Sequence, residues 1–87
     1  MARSRAFRQS EGDFAHFMRY TLAPDLKAMG MVATAKDAAK CGSSITRGVS
    51  IPAYARWLRT MLVPDLKSMG MKETAKDFAR CARILGR

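Results

Sequence analysis

The stretch "PDLKAMGM" (Pro24–Met31) recurs forty residues later as "PDLKSMGM" (Pro64–Met71), with Ser68 in place of Ala28 as the one difference. The match extends outward at the same offset without a gap. It takes in Arg19/Arg59 and Leu22/Leu62 on one side, and Thr34/Thr74, Lys36/Lys76, Asp37/Asp77 and Cys41/Cys81 on the other. Such a register does not arise by chance, so the chain reads as a tandem duplication. Repeat one covers 14–41 and repeat two covers 54–81, with a helical extension to about 85. "GSSITRGVSIP" (42–52) has the Gly, Ser and Pro content of a linker.

Within each copy the apolar residues step with helical spacing: Phe14, Phe17, Met18, Leu22, Leu26 and Met29, then Tyr54, Trp57, Leu58, Met61, Leu62, Leu66 and Met69. Both stripes are amphipathic helix faces, and the fold class is all-α. Pro24 and Pro64 interrupt the stripes, because proline has no N–H and biases the preceding residue away from helical angles. Two readings stay open here. In one, a helix ends near Leu22 or Leu62 and a short helix follows with proline in its first turn and Asp25 or Asp65 at its positive end. In the other, one long helix is kinked.

Gly30 and Gly70 follow the last residue of each stripe, where helices close on a left-handed glycine. Thr34 and Thr74 offer N-cap oxygens for the next helix, with Asp37 and Asp77 three residues on. Each copy is thus a helical hairpin behind a leading helix, too small to bury its own apolar face. Two copies facing each other across a pseudo-twofold axis would complete one core.

At 87 residues the chain makes a single small domain, with 48% hydrophobic residues and therefore enough apolar surface to fold. Uncharged stretches such as Tyr20 to Pro24 are far too short to span a bilayer, and the N-terminus lacks the apolar block of a signal peptide. The expected location is cytoplasmic, without membrane association. There Cys41 and Cys81 read as buried, reduced thiols, with neighbouring Lys40 and Arg80 leaving a redox role as the alternative. Two cysteines and one histidine are too few for a structural zinc site. No nucleophile elbow, P-loop or paired-histidine motif is present, so neither enzymatic activity nor a cofactor or metal is expected. His16 aligns with Arg56 and reads as a surface group, while Trp57, aligned with Phe17, reads as a core anchor. The methionines of the two turns read as filling irregular core space, with a methionine-rich surface that binds partner helices as the alternative.

Sixteen Lys and Arg against seven Asp and Glu give a formal charge of +9, which points to an anionic partner. On the last helix, Lys72, Lys76, Arg80, Arg83 and Arg87 fall on one side at about 100° per residue. Ala75, Phe78, Ala79, Ala82 and Leu85 read as the buried face. The first copy keeps Lys36 and Lys40, has Val32 in place of Lys72, and gains Arg47 from the linker. Lys27 and Lys67 are also duplicated, and the segment 1–12 reads as a basic, flexible arm carrying Arg3, Arg5 and Arg8. Stripes of lysine and arginine often do no more than solvate a helix. Here the acidic residues that usually intersperse such a face lie off the stripe.

"LKAMGMVATA" (26–35) and "LKSMGMKETA" (66–75) resemble the helix-hairpin-helix motif of non-sequence-specific DNA-binding proteins, which occurs in tandem as a pseudo-twofold domain. The resemblance covers about ten residues per copy, and the family's second turn glycine is replaced by Val32 and Lys72. It implies that Gly30 and Gly70 face phosphates and that backbone amides of the turn contact one DNA strand. A helix-turn-helix reader, inserting Thr34 to Cys41 or Thr74 to Ile84 into the major groove, is an equal structural alternative. The function expected is nucleic-acid binding, most simply to DNA. The alternative is a protein-interaction module, an inhibitor or adaptor that docks on an acidic protein surface. Homodimerisation is compatible with a core this small.

Overall fold

The computed structural model describes residues 10–87, so Arg3, Arg5 and Arg8 of the basic arm lie outside the described residues. The described chain is all-α. It divides into two compact units, one ending at Thr46 and the other beginning at Arg47.

In the first unit α1 (Glu11–Phe17) starts on Ser10, whose Oγ accepts the Asp13 N–H at 3.0 Å and satisfies one of the donors a helix start leaves free. The helix thus begins inside the stretch assigned to the flexible arm. After α1 comes a π-helical turn (Met18–Leu22), then α2 (Ala23–Ala28). The backbone stays in the right-handed helical region at Phe17, Leu22 and Ala23, so the run neither breaks nor restarts.

Proline explains the π turn. In a regular helix the Pro24 ring would meet the Tyr20 carbonyl, and the position would lack its donor. Instead the bonding pattern widens just ahead of it, with the Ala23 N–H donating to the Met18 carbonyl five residues back. Of the two sequence readings, the continuous helix holds, and Asp25 sits inside a helical run rather than at a free positive end.

Met29 and Gly30 then close the run. Gly30 takes φ +85°, its N–H donates to the Lys27 carbonyl at 3.0 Å, and the Met31 N–H donates to the Leu26 carbonyl at 2.9 Å. Both bonds of a Schellman motif are present, and left-handed φ is the reason for glycine. The next helix, α3 (Val32–Arg47), starts at once. Thr34 is therefore inside the first turn, two residues past the helix start, and is not the N-cap.

α3 also runs through most of the segment read as a linker. Gly42 is needed there for close approach: a Cβ on it would lie 2.5 Å from the Ala15 carbonyl oxygen and 2.9 Å from Arg19 Cβ. Ser44 and Ile45 are buried beyond it, and Thr46 Oγ1 donates to the Gly42 carbonyl at 2.9 Å. Gly42, part of what looks like a flexible tether, is the point at which α3 passes close to α1. Gly48–Ile51 is the actual connection.

The second unit repeats this order at the same offset of forty. α4 (Pro52–Trp57) leads into a π turn (Leu58–Leu62) and α5 (Val63–Ser68), closed by Gly70 at φ +80°. The Gly70 N–H donates to Lys67 and the Met71 N–H to Leu66. α6 (Lys72–Leu85) follows with Met71 as its N-cap, so Thr74, like Thr34, lies within the helix. The Ile51 N–H donates to the Leu85 carbonyl at 2.9 Å, fastening the entry of α4 to the end of α6.

Phe14, Met18, Leu26, Ala38 and Cys41 are among the buried residues of the first unit; Leu58, Leu66, Phe78, Cys81 and Leu85 are among those of the second. Each fully buried large apolar side chain contributes roughly 1.5–3 kcal/mol relative to exposure. Both cysteines are disulfide-bonded and fully buried, which corrects the expectation of reduced thiols. Among the described residues, no helix is long and apolar enough to cross a membrane.

Candidate nucleic-acid interface

The two second helices of the hairpins carry the basic stripes. On α6 the apolar positions Ala75, Phe78, Cys81, Ala82 and Leu85 are buried. Their burial turns the remaining arc outward, and Lys72, Lys76 and Arg83 are exposed along it, with Arg80 half-buried. At about 100° per residue these four positions span an arc of about 80°. Arg87 is exposed just past the helix end. Lys76 makes an exposed ion pair with Glu73, at 3.7 Å, one turn back on the same helix. A pair this solvated is worth little and leaves the lysine available to a stronger anion.

α3 presents the shorter version. Lys36, Lys40 and Arg47 are exposed, while Ala35, Ala38, Cys41 and Ile45 are buried on the other face. Each of the two helices, α3 and α6, thus carries a stripe of its own. Lys27 and Lys67 are exposed in the last turns of α2 and α5, where a cation also suits the negative helix end.

Two carboxyls border the α6 stripe, those of Glu73 and Asp77. Asp77 is half-buried, and loss of solvent, reinforced by Glu73 and opposed by Arg80, raises its carboxyl from 3.8 to about 6.

The glycine turns do not offer what the family resemblance implies. The Met29, Gly30 and Met31 N–H groups all donate within their own turn, and so do those of Met69, Gly70 and Met71. Gly30 and Gly70 are exposed, yet their amides are committed to closing the helix. Their part is to set the path by which α3 and α6 leave the turn.

Sequence reasoning misplaced several exposed apolar groups. Met29 and Met69 are 61% and 59% exposed at the two turns, and Trp57, read as a core anchor, is 40% exposed and stacked on Tyr54 at 5.9 Å. The signal was there for the methionines: they sit beside a left-handed glycine, and such turns face solvent. Arg19 is exposed with its guanidinium carbon 5.2 Å from the centre of the Tyr20 ring, a cation–π contact on the helix surface. No family model, no curated protein and no solved structure matches the chain.

Proposed function

We propose that this protein is a non-enzymatic nucleic-acid-binding protein that contacts DNA phosphates through the exposed lysines and arginines of α3 and α6. The observation that carries the reading is the segregation on α6: Lys72, Lys76 and Arg83 exposed on one arc, with the helix's apolar residues buried on another. Lysine and arginine side chains neutralise phosphates and release condensed counterions, which gives affinity without base recognition. The glycine-turn amides are spent on closing the helices, so the reading places phosphate contact on side chains, and Lys27, Lys36, Lys40, Arg47 and Lys67 extend the set. The disulfide-bonded state of Cys41 and Cys81 favours an oxidising compartment over the cytoplasm. Binding to phosphates is compatible with either.

A gel-shift titration against single- and double-stranded DNA at 50 and 200 mM salt tests the proposal. With about four phosphate contacts, affinity falls roughly a hundredfold between those two salt concentrations. No mobility change at the lower salt concentration removes the reading.

The exposed Met29, Met61, Met69 and Trp57 favour a second one, a module that docks on an acidic protein surface. Such a complex has fixed stoichiometry and no dependence on oligonucleotide length.

A further inference from the structure

The first unit contains a groove of about 390 Å³ between its leading helical run and α3, a volume within the range of small-molecule sites. Its lining has two parts. Ala23, Pro24, Val32, Ala35 and Ala39 supply apolar surface, and the shortness of the alanines leaves the hollow open. Pro24 contributes ring carbons and no N–H. The other three lining residues are Arg19, Lys27 and Lys36, all exposed and all cationic, with no carboxylate among the lining side chains. A second hollow of about 440 Å³ on the same unit is lined by Glu11 and His16 as well as Arg19, so an anion there would meet a carboxylate. The first groove is the one with charge of a single sign over an apolar wall.

We propose that this groove binds one small amphipathic anion, a single acidic headgroup on an apolar body. The headgroup is held by Lys27, Lys36 and Arg19 and the body lies on the alanines and Pro24. Charge complementarity selects the sign of the ligand, and the apolar lining selects against inorganic anions, which gain nothing from it. The inference does not rest on nucleic-acid binding. In the second unit Val63 and Lys72 replace Ala23 and Val32. The first adds bulk and the second puts a charge where the apolar wall would be, so the site is assigned to the first unit.

Octanoate is the probe, titrated into the ¹⁵N-labelled full chain and followed by amide chemical shifts, with octanol and inorganic phosphate as controls. Octanoate is expected to shift the amides of residues 19–27 and 32–39 saturably, and each control to bind at least about tenfold more weakly, the loss of one charge-assisted contact or of the apolar contribution. Ala39→Phe fills the hollow with all cations kept and should abolish binding. Lys27→Gln with Lys36→Gln keeps the shape and should weaken it about tenfold or more. Circular dichroism checks that each variant is folded. Phosphate binding as well as octanoate would reduce the groove to a bare cationic surface, and octanol binding as well would reduce it to a greasy one; either overturns the proposal. So does unchanged binding by folded Ala39→Phe. If that variant does not fold, the double lysine variant and the two controls decide.

Discussion

The two units share their element order but fill their interiors differently. In the first, Phe14 on α1 is fully buried and Ala38 on α3 is small; in the second, Phe78 on α6 is the buried aromatic, and Tyr54, the counterpart of Phe14, is half-buried. The bulk has moved from the leading helix to the trailing one. Gly42 has Ala82 as its counterpart, and a Cβ at Gly42 would lie 2.5 Å from the Ala15 carbonyl oxygen. Exposed Arg19/Arg59, Lys27/Lys67 and Lys36/Lys76 have not changed at all. Packing tolerates exchange of volume between neighbours, so a core position need not keep its residue. The exposed Asp25/Asp65 and Met29/Met69 are unchanged as well, so identity at the surface is not confined to the cations.

Swapping residues between the units tests this directly. Phe78→Ala writes the first unit's residue into the second without moving Phe14's bulk along with it, and should cost about 3–5 kcal/mol in urea unfolding. Adding Tyr54→Phe should recover only a small part. Gly42→Ala writes the second unit's residue into the first, against the Ala15 carbonyl, and should cost about 1–3 kcal/mol despite alanine's higher helix propensity. Gly30→Ala and Gly70→Ala meet no atom within 4 Å. Each should lose about 1 kcal/mol through left-handed φ alone, and equally in the two units. Unequal losses in a thermal melt would show that the two turns are not equivalent.

The smallest effect is electrostatic and belongs to the second unit. The Asp77 carboxyl is raised on folding, so its protonated form is the one the fold favours. Its stabilising contribution is fully present below pH 3.8 and is lost as pH rises to about 6. Asp77→Asn should remove that dependence from unfolding curves measured across this window. Glu73→Ala should reduce it, because Glu73 is the second cause of the shift, after burial.

Much of the fold was legible because its signals are local. Helical spacing gave the buried faces, and glycine after an apolar stripe gave the left-handed turns. What failed depended on tertiary contacts or on bonding that composition does not encode. Gly42 looks like part of a tether until α3 passes so close to α1 that a Cβ there would meet the Ala15 carbonyl oxygen. The π turn ahead of Pro24 resolves a clash that local rules can flag but not settle. The threonines of the hairpins look like caps, yet a Schellman turn passes directly into the next helix and makes them interior. Burial of Cys41 and Cys81 follows from their apolar face; their disulfide-bonded state does not follow from spacing. At the candidate interface the stripe itself was legible, whereas the commitment of the turn amides was visible only in the hydrogen bonds.

The most direct test of the proposed role is the slope of log affinity for DNA against log salt, compared between the wild type and the Lys72→Gln, Lys76→Gln, Arg83→Gln triple variant. Phosphate contact through α6 predicts a slope shallower by about 1 for each residue removed. An unchanged slope in the folded variant would contradict it.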